Sequence, residues 1–297
     1  MLDRRRVLAA LAGLFLPSLG TASYAFAWEP EQMRVTRYGL APRGWPAGRK
    51  LRIVALSDIH IGGYHMPLSR LPGIVAAANA LKPDLILLLG DFIASRPPRS
   101  DDPAMADWAR ELARLNAPHG VFAILGNHDW WHDDAALAAR GGPTLVGRAL
   151  ETAGIRVLEN DAVRLETAAS PLWLAGLGDQ IAFQTLRRGR PWGVDDLPGT
   201  LAQIADDGAP VIMMAHEPDA FRRMSERVSL TLSGHTHGGQ VRLFGWSPVV
   251  PSRYGNRYAY GHVHEEGRDL IVSGGMGTSK LPIRLGVPPE IVLVDLG

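Results

Sequence analysis

Seven side chains in this sequence have the types and placement to hold metal ions: Asp58, His60, Asp91, Asn127, His216, His235 and His237. They fall within or just after five short apolar runs, LRIVALSDIH, DLILLLGD, GVFAILGNHD, PVIMMAHEP and LTLSGHTH. Carboxylate, amide and imidazole donors without sulfur suit Mn, Fe, Zn, Co or Ni. Seven exceed what one tetrahedral ion takes. They suit two divalent ions roughly 3.5–4 Å apart, which clamp the attacking and leaving oxygens of a phosphoryl displacement. Such a pair needs a shared carboxylate, and Asp91 is the natural candidate. His235 and His237 stand two apart in SGHTHGG. On an extended segment they would point the same way, whereas a turn lets each reach a different ion. Gly234, Gly238 and Gly239 would keep the backbone close to the metals and give the turn its dihedrals, and Thr236 would be structural.

Something must bring these residues together from distant parts of the chain. Each run is rich in Leu, Ile or Val and bounded by Gly, Asp or Asn, the pattern of strands buried on both faces. Helical spacing of Ala and Leu occurs over 68–82, 101–115, 133–153, 195–206 and 218–227. Strand–helix alternation predicts an α/β fold, and such sheets bind ligands beyond the carboxyl ends of their strands. MRVTRYGL reads as an edge strand. IRVLEN, AVRLE, LWLAGLGD, a hairpin around Glu265-Glu266-Gly267 and the closing EIVLVDL are expected to build a second sheet packed on the first. The expectation is one domain over 28–297, with two central mixed β-sheets flanked by helices.

Composition narrows the chemistry. The 297 residues include no cysteine, which excludes disulfides, thiolate metal sites and cysteine nucleophiles. The formal charge of +1 does not suit a nucleic-acid binder. Residues 1–27 carry three arginines, an apolar run broken by Pro17 and Gly20, and Ala25-Phe26-Ala27. That is the layout of an export signal, and Asp3-Arg4-Arg5-Arg6-Val7-Leu8 is similar to a twin-arginine signal. Export to the periplasm or cell envelope is the expectation; an uncleaved anchor at the inner membrane is the alternative.

The order D-x-H, G-D, G-N-H-D, H, G-H-x-H, from Asp58 to His237, resembles the calcineurin-like metallophosphoesterase family. The resemblance implies a sandwich of two mixed sheets and two divalent ions. Asp58, His60 and His237 would hold the first ion, Asn127, His216 and His235 the second, and Asp91 would bridge them. It implies that His128 contacts the phosphate and can protonate the leaving oxygen, with Asp129 bonded to its imidazole and raising its basicity. The nucleophile would be a metal-bound hydroxide, since a metal can lower the pKa of water to about 7. The tail SGGMGTSKLPIRLGVPPEIVLVDL is similar to an exported or membrane-associated bacterial branch that includes UDP-2,3-diacylglucosamine pyrophosphatases. There Gly274, Gly275 and Gly277 would turn close to the site, and Arg284 would face the substrate.

The expected function is therefore metal-dependent hydrolysis of a phosphoester, foremost a phosphodiester of the cell envelope. A lipid or nucleotide-lipid substrate and contact with a membrane surface are compatible with the tail and with the arginine-rich loop LRRGRPWG. A catalytically silent metal- or phosphate-binding module would need a broken site, and no ligand position is missing. Elsewhere, Asp84 reads as a capping residue, and His65, His119 and His132 read as solvated loop residues. His262 and His264 share one strand face, at a solvent-exposed or rim position. Trp130 and Trp131 line the cleft or cap the core.

Overall fold

The computed structural model describes residues 20–96, 99–100, 102–167, 170–184 and 192–297. Its apolar runs sort into two six-stranded sheets. The first contains β1 (Arg34–Leu40), β2 (Leu51–Leu56), β3 (Leu85–Leu89), β4 (Val121–Ile124), β5 (Arg156–Val157) and β12 (Glu290–Leu296), in the order β1-β12-β2-β3-β4-β5. The second contains β6 (Asp161–Leu165), β7 (Leu172–Gly176), β8 (Val211–Met214), β9 (Leu230–Ser233), β10 (Gly261–Glu265) and β11 (Arg268–Val272), in the order β10-β11-β9-β8-β7-β6. Strands β2, β3, β4 and β5 are parallel, as are β7, β8, β9 and β11; β12 runs antiparallel to β2, β6 to β7 and β10 to β11.

Alternation along the strands assigns each residue to a layer. Ile53, Ala55, Leu85, Leu87 and Leu89 pack between the sheets against Ile212, Met214, Leu230 and Leu232. Val54, Leu56, Ile86 and Leu88 face the other way, onto a layer that includes helices α1 (Leu71–Ala80), α2 (Met105–Leu112) and α5 (Leu145–Thr152). Both faces of the central strands are covered, which is why their sequences are apolar without a break.

Three expectations need correction. β5 and β12 belong to the first sheet, and β8 and β9 to the second. β8, β9 and β12 are runs buried on both faces and look alike in sequence, and β5 is only two residues long, so the local pattern does not choose a sheet. The single helix expected over 133–153 is two, α4 (Asp134–Ala139) and α5. Arg140 adopts a left-handed conformation, Gly141-Gly142-Pro143 follows, and each helix has its own cap: Asp133 accepts from Ala136 N and Thr144 from Gly147 N. Over 218–227, only Pro218–Arg223 is helical, as 3₁₀ turns.

Of the expected export signal, residues 1–19 lie outside the described residues. Residues Tyr24–Trp28 form one π-turn against the domain. Ala25 is buried and its carbonyl accepts from Arg284 N, 2.8 Å. Glu31 pairs with His65 and Arg70, and both Arg70 Nη atoms donate to Pro30 O. No helix among the described residues is long and apolar enough to cross a membrane. Most of LRRGRPWG also lies outside the described residues; its Trp192 packs on Phe183 and lies under the Arg140 guanidinium.

Candidate metal centre

The donor residues follow the carboxyl ends of five strands, three in one sheet and two in the other. Asp58 and His60 follow β2, Asp91 follows β3, and Asn127, His128 and Asp129 open the short helix α3 (Asn127–Trp131) after β4. His216 follows β8, and His235 and His237 follow β9. Five of the seven donors turn the backbone into the left-handed region: Asp58 (φ 50°), His60 (51°), Asp91 (57°), His235 (69°) and His237 (51°). That region costs a residue with a Cβ about 1–3 kcal/mol and persists only where the surroundings over-determine it. The parallel strands provide those surroundings. Asp58 N donates to Gly90 O and His60 N to Asp91 O, both 3.0 Å, so the loops after β2 and β3 hold each other in place.

The donors form two triads whose ligand atoms lie within 4.8 Å of one another, Asp58–His60–His237 and Asp91–His216–His235. In the first, His237 Nε2 is 3.3 Å from Asp58 Oδ1 and 3.1 Å from His60 Nε2. In the second, His216 Nε2 is 3.3 Å from Asp91 Oδ2, and His235 Nδ1 is 2.9 Å from Asn127 Oδ1. Asp91 joins the triads: its Oδ2 is also 3.7 Å from His60 Nε2, while Oδ1 accepts the His128 amide at 2.8 Å. His235 and His237 thus go to different triads. Thr236 between them donates to Ala259 O, 2.7 Å. Gly234 is required for close approach, because a Cβ there would lie 2.4 Å from Asp58 Oδ2.

The arrangement fits divalent cations on its own chemistry. His60 Nδ1 is 2.9 Å from Ile93 O and His216 Nδ1 is 2.7 Å from Leu89 O. A carbonyl only accepts, so both Nδ1 atoms carry a proton and both Nε2 atoms face the centre. Burial opposes charge on His216, yet Asp91 raises it well above the usual imidazole range, so an ion would take the place of its Nε2 proton. His216 Nε2 is buried and has no hydrogen-bond partner of acceptable geometry. Burial, His60 and Arg284 hold His237 well below the usual imidazole range, which keeps it neutral. Burial works against charge on Asp91, yet the charged His216 beside it holds its carboxyl well below the usual range. Burial pushes Asp58 up, although His216 opposes it. Imidazole nitrogens and crowded, buried carboxyl groups are the donor set a divalent ion takes.

A match to the family model for calcineurin-like phosphoesterases covers residues 51–239, from the start of β2 to the glycines after His237. The chain belongs to this family. It is similar to the uncharacterized metallophosphoesterase YkuE of Bacillus subtilis, with 33% identity over 97% of this chain and 93% of that protein. It is equally similar, at 33% identity over the full length of both, to the phosphodiesterase YaeI of Escherichia coli K12. An uncharacterized metallophosphoesterase of Aquifex aeolicus is 30% identical over 89% of this chain and 92% of its own. The chain is a metal-dependent phosphoester hydrolase.

In this phosphoesterase, His128 lies beside the triads with its ring centroid 5.2 Å from that of His60. Trp131 meets the His128 ring edge-on at 5.0 Å, and His132 Nε2 is 3.5 Å from its Nδ1. Trp130, in contrast, is fully buried in the core. The expected bond from Asp129 to the His128 imidazole is not made. Asp129 accepts three backbone amides instead, from Gly126, Asp91 and Phe92, each at 2.9 Å. Its carboxylate ties the turn after β3 to the turn after β4. Burial and the neighbouring Asp91 push it up to about 7.

Burial, against the pull of Asp91, drives His128 down to about 3, so the ring is neutral at physiological pH. A histidine whose folded pKa lies below its unfolded value stabilises the fold above that unfolded value. The contribution is lost as pH falls toward the folded one. With an unfolded pKa near 6.5, His128 costs about 2 kcal/mol of stability between about pH 7 and about pH 5. Metal-free His128→Gln is expected to lose that much less than wild type over this interval. Urea unfolding at the two pH values checks it, and equal losses would contradict the assignment.

The tail closes over the first triad as expected in one respect and not in another. Gly275 and Gly277 do turn against the site; at Gly277 a Cβ would lie 2.4 Å from Ile59 O and 2.8 Å from His60 Cβ. Arg284 does not face a substrate. It is 0% exposed and sits behind His237 of the first triad. Its guanidinium donates to the carbonyls of Gly277 (Nε, 3.0 Å, and again through Nη2), Val287 (2.9 Å) and Gly275 (3.1 Å), and Nη2 is 3.5 Å from His237 Nδ1. Burial lowers it to about 10, still charged at neutral pH.

Two carboxyl groups escaped the sequence reading. Asp179 and Glu217 are buried beside His216, and the three could together hold a cation. Burial and Glu217 raise Asp179 well above the usual range, so it keeps its proton. Asp179 follows β7 much as Asp58 and Asp91 follow β2 and β3, and that position was the available signal. Among the other histidines, His65 is buried between Glu31 and Pro282 O, not solvated. His132 and His119 are half-buried. Asp84 caps no helix; its carboxylate accepts Arg52 N at 2.7 Å and ties β2 to β3.

Proposed function

We propose that this chain is a phosphodiesterase of the cell envelope that holds two divalent ions and acts on a phosphodiester presented at a membrane surface. The observation that carries the two-ion reading is the Asp91 carboxylate, whose Oδ2 lies between His60 of one triad and His216 of the other. Asp58, His60 and His237 would hold one ion, Asn127, His216 and His235 the other, and Asp91 both. When bound, divalent ions supply Lewis-acid activation of water and neutralise charge on the phosphoryl oxygens. The chain's own residues do the rest. His128 is neutral and offers its ring N–H to a phosphoryl or leaving oxygen. Trp131 fixes one edge of that ring, and Asp129 holds the two turns that present it.

Diester use is supported by full-length similarity to a protein named a phosphodiesterase. Membrane presentation is supported by a crest of exposed apolar side chains beside the centre. The loop that leaves His237 carries Phe244, fully exposed, with Trp246 and Val249 also exposed. It pairs with the tail through Arg242 N to Leu285 O, 2.7 Å, and Gln240 Nε2 to Leu281 O, 2.8 Å. The same stretch of tail holds Ala25, next to the exposed Trp28, and Pro282 O bonds His65, next to the exposed Tyr64. Exposed aromatics of this kind, with Lys280 beside Leu281, suit the interface of a bilayer. The docking of Ala25 favours a retained N-terminal segment at the inner membrane over cleavage after Ala27. In that setting a UDP-2,3-diacylglucosamine pyrophosphatase is the second reading.

The test is hydrolysis by metal-loaded protein of three substrates: bis(4-nitrophenyl) phosphate, phosphatidylglycerol in vesicles and UDP-2,3-diacylglucosamine. The first two are expected to turn over. Phe244→Ser/Trp246→Ser is expected to keep the soluble activity and lose at least about 10-fold on vesicles, as removal of two interfacial aromatics worth about 1.5–3 kcal/mol each implies. No diester hydrolysis would refute the activity. Equal effects on soluble and vesicle substrates would refute the membrane part, and release of UMP would favour the pyrophosphatase.

A further inference from the structure

The outer hairpin of the second sheet carries a second kind of histidine cluster. β10 is an edge strand, and its His262 and His264 project from one face. Across the ladder His264 pairs directly with Asp269, while His262 pairs with Ile271 and is therefore the diagonal neighbour of Asp269. The two rings make up the difference in reach by using different nitrogens. His264 brings its near Nδ1 to 2.9 Å from Asp269 Oδ1, and His262 extends its far Nε2 to 2.7 Å from the same oxygen. All three ligand atoms lie within 4.8 Å of one another.

The cluster is separate from the centre described above. Asp269 stands near the start of β11, which is parallel to β9, whereas the catalytic loops follow the carboxyl ends of these strands. Asp269 is nearly enclosed, and both imidazoles are partly open to solvent. A buried carboxylate needs a compensating positive charge. A divalent ion seated by the two rings would supply it and keep its remaining positions open to water. Two imidazoles and one carboxylate on a rigid ladder suit Zn or a similar borderline ion, and do not suit Mg or Ca.

We propose that His262, His264 and Asp269 form a zinc-type metal site that clasps the edge hairpin, independent of the catalytic centre. The test compares zinc content after equilibration of the full chain at low micromolar free zinc and removal of unbound metal. Wild type is expected to hold one more zinc per chain than His264→Ala and than Asp269→Asn. His264→Ala removes a largely exposed ring, so its fold is not at stake, and its hydrolysis of bis(4-nitrophenyl) phosphate is expected to equal that of wild type. Copper titration gives a second readout: wild type shows an additional electron paramagnetic resonance signal with imidazole nitrogen coupling that His264→Ala lacks. Equal zinc content in wild type and both variants, or identical copper spectra, overturns the proposal.

Discussion

Asp91→Asn is expected to lose bound metal and to lower kcat/KM by at least about 100-fold, since removing even the outer partners of metal ligands costs 10–100-fold. The substitution preserves volume, so the reason is electronic. Oδ1 is committed to the His128 amide, and an amide in this place would keep its oxygen there. Its NH₂ group would then occupy the position of Oδ2, facing His60 and His216. A donor would stand where both triads need an acceptor, and one negative charge would be gone. Metal analysis of the purified variant and turnover of a soluble phosphodiester check this. Retention of metal with near-normal turnover would remove Asp91 from the joining position.

Arg284→Met is expected to destabilise the fold by at least about 2 kcal/mol, because a buried carbonyl stripped of its donor costs about 1–3 kcal/mol. The carbonyls of Gly277 and Val287 depend on this one guanidinium, and that of Gly275 is shared between it and Glu290 N. Arg284→Lys is expected to recover only part of the loss, since an ammonium is a point donor where the fork reaches several acceptors at once. The variant should also bind metal more weakly, because Gly275 and Gly277 press directly on Asp58 and His60. Urea unfolding with and without chelator separates the two effects. A change below about 1 kcal/mol, the scale of an ordinary surface substitution, would contradict the assigned role.

The convergence of the two triads was legible because metal chemistry accepts few residue types and the sheet delivers them at one kind of place, the end of a buried strand. Asp58, Asp91 and His216 could be read from that position alone. The environment of Arg284 could not. In a stretch rich in glycine and proline an arginine resembles any exposed cation, and only the closed turn reveals carbonyls on every side of it. Asp129 failed for a different reason: a carboxylate next to His128 can serve the ring or the backbone, and the amides of Asp91 and Phe92 that compete for it lie in the turn after another strand. Asp179 had the right position, but its partner Glu217 arrives from β8. The helix break at Gly141-Gly142-Pro143 was written in the chain and was outweighed by the Ala and Leu spacing around it.

Each triad takes donors from both sheets. Asp58 and His60 come from the first and His237 from the second; Asp91 comes from the first, His216 and His235 from the second. A half-assembled chain therefore offers at most two of the three donors of either triad. Metal capture must follow the meeting of the sheets, and whatever free energy it releases is added across their interface, since a ligand that binds only the assembled state stabilises that state. A centre so occupied would act as a seal on the sandwich as well as a reaction site. A chain deprived of metal should first part along the seam between the sheets, before either sheet loses its own ladder.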